Sequence, residues 1–185
     1  NERIKKLARQ TKVRVMSFGF SPEADICASD IFYNYADLSN SGGRIIRGLS
    51  FKLTYKGTTI PMRLNNILAR HSIYSALSAV AVGIELGLNL VEIGASLENF
   101  CLPYGRMNLI PGIKNSMIID DTYNASPVST IAALKVLEEI RAPRKIAVLG
   151  DMLELGAEEE AGHREAAREF IKIKNGIILT VGSRM

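Results

Sequence analysis

The carboxyl-terminal half of the chain alternates short apolar runs with helical patterns, and this alternation limits the folds that the chain can adopt. The runs are too short for helices, and the segments between them have the apolar spacing of amphipathic helices. In chain order the predicted segments are strand Met117 to Ile119, helix Val128 to Ile140, strand Ile146 to Leu149, helix Glu158 to Lys172 and strand Ile177 to Val181. This order predicts an α/β fold in which the strands form one parallel sheet covered on both faces.

A polar or glycine-containing turn follows each predicted strand. The turns are Asp120-Asp121, Gly150-Asp151 and Gly182-Ser183. Right-handed crossovers would bring all three to one edge of the sheet, where open α/β sheets bind ligands. Asp120 and Asp121 could hold a cation or a ribose. Equally, one of them could cap the turn that follows.

The first hundred residues have a different pattern. Short segments of alternating hydrophobicity flank turn-forming residues at Ser39 to Gly43 and at Lys56-Gly57, which predicts antiparallel hairpins. A strand is predicted before them, from Val13 to Phe18. After them, apolar residues recur at helical spacing from Ile73 to Ile84, and a second helix is expected to begin after the N-cap Asn89.

The pattern breaks at Pro103 to Gly105. Strands and helices alternate from there to the last residue, so we predict a hinge and a domain boundary that separates residues 1–104 from residues 105–185. Arg106 comes directly after this break. It is either a solvated charge or a clamp for a phosphate or a ribose, and its position alone does not decide between the two.

Two further segments carry candidate chemistry. The turn Gly150 to Gly156 brackets Asp151 and Glu154 with glycines and leads to His163. It is either a substrate loop or an ordinary turn, in which the glycines allow the chain to reverse and the acids lie favourably near a helix N-terminus. His71 begins a helix directly after another basic residue and could meet a phosphate there, although a lone histidine is more often structural.

Composition narrows the class of protein. With 47% hydrophobic and 23% charged residues the chain is typical of a soluble globular protein, and no run approaches the roughly 18 apolar residues of a membrane span, so we expect a cytoplasmic protein. The net charge of +4 is spread along the chain, which argues against nucleic-acid binding. Cys27 and Cys101 lack zinc-site or disulfide spacing and are expected to be buried free thiols. Neither GxGxxG nor GxxxxGK[ST] is present.

Four segments taken together resemble the Mur ligases. They are Ala69-Arg70-His71-Ser72-Ile73-Tyr74-Ser75-Ala76-Leu77, Gly105-Arg106-Met107, Asp120 to Pro127, and Gly150 to Gly156 with His163, in the order of the family. The last two resemble the branch that adds D-alanyl-D-alanine. The resemblance implies that residues 1–104 are the later part of a central ATPase domain. Residues 105–185 would be the first part of a Rossmann-like, parallel-sheet carboxyl-terminal domain.

The resemblance also implies a reaction. In the family, ATP phosphorylates the terminal carboxylate of a nucleotide-linked peptide, and an amine attacks the acyl phosphate. The implied substrates are UDP-N-acetylmuramoyl tripeptide and D-alanyl-D-alanine, with ATP and Mg²⁺. The implied ATP-binding residues are His71, Ser75, Arg106, Asp121, Tyr123 and Asn124, and the implied substrate loop contains Asp151, Glu154 and His163. No catalytic residue and no metal ligand is assigned within this chain.

The chain departs from the family pattern in two ways. Where the family has GxHNxxNAL, this sequence has Ala69, Ser72 and Ser75. Serine lacks the paired donor and acceptor of an amide, so we expect weaker or water-mediated adenine recognition at Ser75.

The second departure concerns the segments that the resemblance places before residue 1, namely the family's P-loop, magnesium ligands, modified lysine and UDP-sugar domain. We therefore expect that these 185 residues alone do not ligate. Separately, the whole protein is expected to be a monomer. Another Mur-type ligase, a folylpolyglutamate-type ligase and a non-catalytic relative are the alternatives.

Overall fold

The computed structural model describes residues 2–37 and 44–185, with side chains from residue 6 onward. The turn predicted at Ser39 to Gly43 lies outside the described residues. The chain forms two compact units, of which unit 1 comprises Asn1–Phe32, Ser50–Arg63 and His71–Asn99, and unit 2 comprises Tyr33–Leu49, Leu64–Arg70 and Phe100–Met185. The chain thus passes between the units several times. The domain boundary after residue 104 stays a prediction.

A four-stranded sheet and three helices occupy the first hundred residues. Their bounds are α1 Glu2–Gln10, β1 Phe18–Gly19, β2 Ile26–Asp37, β3 Arg44–Tyr55, β4 Thr58–Asn65, α2 Ser72–Glu85 and α3 Leu90–Glu98. The strands lie in the order β1-β2-β3-β4, with β1 parallel to β2. Lys56 and Gly57 form the turn between β3 and β4, which confirms the predicted hairpin.

Both predicted helices of unit 1 are confirmed. In α2 the side chains of Ile73, Leu77 and Val80 are fully buried, as the spacing predicts for a helix with one apolar face. Asn89 caps α3: its side chain accepts from the backbone N–H of Glu92 at 3.0 Å, and the Glu92 carboxylate accepts from the Asn89 N–H at 3.0 Å. This reciprocal capping box fixes the start of α3.

Two further expectations are wrong, one about a strand and one about the cysteines. The strand predicted from Val13 to Phe18 is limited to β1, because the pairing with β2 begins at Phe18, opposite Ile26, and Val13 is 72% exposed. Cys27 and Cys101 were expected to be buried, but Cys101 is exposed and Cys27 only half-buried. None of the described helices is long and apolar enough to cross a membrane.

The rest of unit 2 contains two small sheets and two helices. The elements are β5 Asn108–Pro111, β6 Met117–Asp120, α4 Pro127–Glu139, β7 Lys145–Gly150, α5 Glu159–Phe170 and β8 Gly176–Val181, with 3₁₀ turns at Ile113–Asn115 and Gly156–Glu158. β7 and β8 are parallel neighbours joined through α5. This strand–helix–strand arrangement confirms the α/β class.

The predicted single parallel sheet is wrong for its first strand. β6 pairs antiparallel with β5, from Asn108 opposite Asp120 to Pro111 opposite Met117. Among the described residues, β5–β6 and β7–β8 are separate two-stranded sheets. Strand β5 has no pattern in the sequence, because it is four residues long and ends in proline, and without β5 the partner of β6 could not be assigned.

Within the described residues one face of the β7–β8 sheet is exposed, so the predicted coverage of both faces is not observed there. Val148, Leu179 and Val181 are 64%, 53% and 62% exposed. On the opposite face Ala147 packs in a core cluster with Leu134 of α4 and with residues at the end of α5. Both helices therefore cover the same face.

A second core cluster of unit 2 joins segments that are far apart in sequence. Ala69, Met107 and Val136 are among its buried members. Beside it, Glu139 at the end of α4 accepts from the Tyr33 hydroxyl and from Arg70 Nε, each at 3.0 Å. Burial, together with the Glu139 carboxylate, raises the pKa of Tyr33. The segment that precedes His71 is thereby fixed against the segment that contains Arg106.

Candidate functional site

Three of the predicted ATP-binding residues come together in unit 2. The Arg106 guanidinium lies over the Tyr123 ring, with Cζ 4.1 Å from the ring centroid, which is a cation–π distance. Asp121 reaches the same turn, because its Oδ1 accepts from the Met107 N–H at 3.1 Å. Arg106 is exposed and Tyr123 is 70% exposed. A positive charge and an aromatic face are therefore available to a ligand at this site.

The backbone around Arg106 has an uncommon conformation. Gly105 and Met107, on either side of it, have φ angles of +68° and +54°. The Tyr123 N–H donates to the Gly105 carbonyl at 3.1 Å, and a Cβ on residue 105 would lie 2.7 Å from that nitrogen. The close approach requires glycine. A left-handed conformation at a residue such as Met107 is sparsely populated and tends to occur at functional sites.

The two adjacent acids have different roles. Asp120 Oδ1 accepts from the Thr122 hydroxyl at 2.6 Å and from the Thr122 N–H at 3.2 Å. Asp120 is thus the turn cap that the sequence left as one of its alternatives.

Asn124, three residues beyond Asp121, is exposed. The Ser126 hydroxyl then accepts from the Ser129 N–H at 3.3 Å and caps α4.

The two other predicted ATP-binding residues, His71 and Ser75, lie in unit 1. His71 is the N-cap residue of α2 and makes no side-chain capping bond. Ser75 comes four residues later on the same face, and both side chains are exposed. Ser72, the other serine at a family asparagine position, is buried. Of the two serines that replace family asparagines, only Ser75 is therefore accessible to a ligand on this face.

In the predicted substrate loop, Asp151 binds backbone of its own chain. Its carboxylate accepts from three successive N–H groups, those of Ser183, Arg184 and Met185, at 3.2, 3.0 and 2.9 Å. A Cβ on Gly182 would collide with this carboxylate. Desolvation acts to raise the pKa of Asp151, but the three N–H donors and Arg184 outweigh it, so the pKa lies below its ordinary value.

The lowered pKa of Asp151 gives a prediction about pH. Because the folded-state pKa is depressed, the contacts to residues 183–185 are present above the ordinary pKa and are lost as pH falls through the lowered one. In an NMR titration we expect the three amide signals to move together with a midpoint below 3.8, the ordinary value. Asp151→Asn should abolish this common transition. A common midpoint at or above the ordinary value would contradict the assignment.

His163 is buried and holds the same loop. Its Nε2 accepts from the Met152 N–H at 3.0 Å, and its Nδ1 donates to the Glu159 carbonyl at 2.7 Å. Because Nε2 accepts, the ring proton lies on Nδ1. Glu154 is the exposed acid of the loop, with a φ angle of +62°. Asp151 and His163 therefore bind backbone, and Glu154 faces solvent.

We expect His163→Phe to destabilise the chain by about 2 kcal/mol, because it leaves the buried N–H of Met152 without a partner. Urea unfolding followed by circular dichroism measures the change. Arg164→Ala is the matched control on α5, since its ion pair with Glu160 is exposed and such pairs contribute about 0.5 kcal/mol. Equal effects of the two substitutions would contradict this role for His163.

One residue near Arg106 was missed by the sequence analysis. Asn108 Oδ1 accepts from the Arg106 N–H at 3.1 Å, and its Nδ2 donates to the Leu102 carbonyl at 3.2 Å. A single asparagine after a hinge has no sequence signal that distinguishes it from an ordinary turn residue. In residues 2–37 and 44–185, no group of three or more His, Cys, Asp or Glu side chains could hold a metal ion.

Comparison with known proteins identifies the class. Residues 105–184 match the family described as Mur ligase, glutamate ligase domain. This range contains the Arg106–Tyr123 pair, Asp121 and the whole Gly150 to Gly156 loop. Residues 105–184 therefore form a domain of the Mur ligase family.

Within that family the chain is similar to UDP-N-acetylmuramoyl-tripeptide–D-alanyl-D-alanine ligases. Identity to the Escherichia coli enzyme is 38% over 115 residues, which is 62% of this chain and 25% of that protein. For the Bacillus subtilis enzyme it is 35%, over 63% of this chain and 26% of that protein. The chain thus spans about a quarter of the length of these relatives.

Solved structures agree with this relationship. The crystal structure of MurF from Acinetobacter baumannii matches 98% of this chain and 36% of its own length, with a TM-score of 0.77 and 30% identity. MurF from Thermotoga maritima in complex with ADP matches 98% of this chain and 42% of its own length. Its TM-score is 0.70, and at 19% identity it supports the fold alone.

Proposed function

We propose that this chain is part of an ATP-dependent ligase of peptidoglycan precursor synthesis. The whole protein would join D-alanyl-D-alanine to UDP-N-acetylmuramoyl tripeptide through an acyl phosphate. The observation that carries the proposal is the exposed Arg106 guanidinium, 4.1 Å from the Tyr123 ring centroid in a turn fixed by Asp121. This turn lies in a domain of the Mur ligase family whose relatives are named for that reaction.

The residues of this site suit a nucleotide. The guanidinium offers N–H donors and a permanent charge to phosphate oxygens. The open Tyr123 ring offers a stacking face, and the Asn124 amide can both donate and accept. ATP would supply the phosphoryl group. Because phosphoryl transfer depends mainly on positioning and charge stabilisation, an arginine held by its neighbours is the contribution expected from this chain.

Magnesium is part of the proposed reaction, but no residue of this chain is proposed as a magnesium ligand. The described residues contain no cluster of three potential ligands. His71 and Ser75 are proposed as further ATP contacts, on the exposed face at the start of α2. We propose that residues 1–104 belong to the central ATP-binding domain and residues 105–185 to the carboxyl-terminal ligase domain.

The Gly150 to Gly156 loop is proposed as a neighbour of the incoming dipeptide. Asp151 and His163 would act through the loop, because their side chains bind backbone groups. Glu154 would face the cationic amine of D-alanyl-D-alanine, since it is the exposed acid of the loop. We also propose that the whole protein is a cytoplasmic monomer. Its partners would be UDP-N-acetylmuramoyl tripeptide and D-alanyl-D-alanine.

The test is ADP release by the complete protein that contains this chain. ATP, magnesium, UDP-N-acetylmuramoyl tripeptide and D-alanyl-D-alanine are supplied together and then omitted one at a time. We expect release only when all are present, and none from the 185-residue chain alone. Release that needs a different amine would indicate another ligase of the family. No release from a folded complete protein would indicate a non-catalytic relative.

A further inference from the structure

The turn that carries Arg106 is held from three sides. The Tyr123 ring lies under the guanidinium. Asp121 binds the N–H of Met107, the next residue. Asn108 binds the N–H of Arg106 itself, with Oδ1 at 3.1 Å. The first two belong to the proposed ATP site, and the third is a residue to which no role has been given.

Asn108 makes a second bond that an ordinary turn cap would not need. Its Nδ2 donates to the Leu102 carbonyl at 3.2 Å, six residues back along the chain. One amide group therefore closes the whole segment between Leu102 and Arg106, which is the predicted hinge. The amide supplies the acceptor for one end from its oxygen and the donor for the other from its nitrogen.

Asn108 is itself well anchored. It is the first residue of β5, opposite Asp120 in the β5–β6 ladder, and it forms an isolated bridge with Ile67. Its side chain is half-buried, whereas Arg106 is exposed. An exposed arginine has many rotamers, and holding its backbone from an anchored strand reduces the conformations that a ligand must select.

We propose that Asn108 is a positioning residue that orients Arg106 toward the phosphates of ATP. The inference rests on the proposed function, which makes Arg106 an ATP contact. It adds that the affinity for ATP depends on a side chain that does not touch the nucleotide. Of the two amide contacts, the bond to the Arg106 N–H carries most of the effect, because it acts directly on that residue.

The test compares three variants of the complete protein, Asn108→Ala, Asn108→Asp and Leu109→Ala. Aspartate keeps an acceptor for the Arg106 N–H and loses the donor to Leu102. Leu109 is the matched control, because it is the next residue of β5 and packs against the core cluster of Ala69 and Met107. Its truncation lowers stability without removing a contact to Arg106.

The Kd for ATP is measured by calorimetry, separately from turnover. We expect Asn108→Ala to weaken ATP binding about tenfold, the effect of one hydrogen bond. Asn108→Asp should recover most of this loss, and Leu109→Ala should leave the Kd within about twofold although it lowers the melting temperature. Equal Kd values for Asn108→Ala and Leu109→Ala, or no recovery by aspartate, would overturn the inference.

The two proposals fail in different ways. Binding of ATP with the expected order of Kd values but without ligation would contradict the ligase and support the role of Asn108. Ligation with Kd values that do not change when Asn108 is replaced would support the ligase and contradict the role of Asn108. A folded protein that binds no ATP would overturn both.

Discussion

Replacing Arg106 with alanine is expected to lower the rate of ligation by the complete protein about 100-fold, the usual effect of removing one preorganised group that stabilises transition-state charge. The guanidinium is exposed, stacked on Tyr123 and held through its backbone, so its loss removes charge without leaving a buried group unpaired. Arg106→Lys should recover only part of the rate, because an ammonium lacks the planar set of donors and stacks less well.

ADP release at saturating tripeptide and dipeptide measures this effect. Arg164→Ala is the control, because Arg164 is also exposed and its ion pair is confined to α5. We expect that substitution to leave the rate within about twofold. If Arg106→Ala and Arg164→Ala behaved alike, Arg106 would be a solvated charge, the alternative that the sequence alone left open.

Local patterns in the sequence were sufficient for most of the secondary structure. Apolar spacing predicted α2, α4 and α5, and the N-cap of α3 at Asn89 follows from side-chain chemistry. These elements depend on neighbours within a few residues. The pairing of β6 could not be predicted in this way, because its partner β5 is short and ends in Pro111. An apolar run fits a parallel or an antiparallel neighbour equally well.

For the site, the sequence indicated which residues are candidates but not which groups their side chains bind in the folded chain. Arg106, Asp121 and Tyr123 do come together, although only Arg106 and Tyr123 have side chains that both face solvent. The family resemblance implies a substrate role for Asp151, whereas the sequence alone left that role open, and in the structure its carboxylate accepts three backbone N–H groups. A sequence does not reveal which acids are already satisfied by backbone more than thirty positions away.

The same limit applies to the backbone of the Arg106 turn. Glycine at position 105 suggested a hinge, whereas the structure gives it a fixed φ of +68° against Tyr123. The left-handed Met107 has no signal at all, because methionine rarely adopts that conformation. Both depend on hydrogen bonds from residues fourteen or more positions later in the chain, and such contacts leave no periodic pattern.

Gly105→Ala is therefore expected to be among the most destabilising single substitutions in unit 2, at about 2–3 kcal/mol. Left-handed backbone costs an alanine about 1 kcal/mol relative to glycine. The rest arises because the new Cβ would lie 2.7 Å from the Tyr123 backbone nitrogen, so the 105–108 turn and the start of the 121–123 segment must move apart. That movement would break the bond between the Tyr123 N–H and the Gly105 carbonyl.

Gly156→Ala separates these two contributions. Gly156 has a φ of +57°, close to that of Gly105, but a Cβ there would have no neighbour within 4 Å. Gly156→Ala should therefore lower the free energy of unfolding only by the conformational cost, about 1 kcal/mol. Urea unfolding of the two variants gives the difference, which we expect to be at least about 1 kcal/mol. Equal losses would mean that the turn relaxes without cost and that Arg106 is not held rigidly against Tyr123.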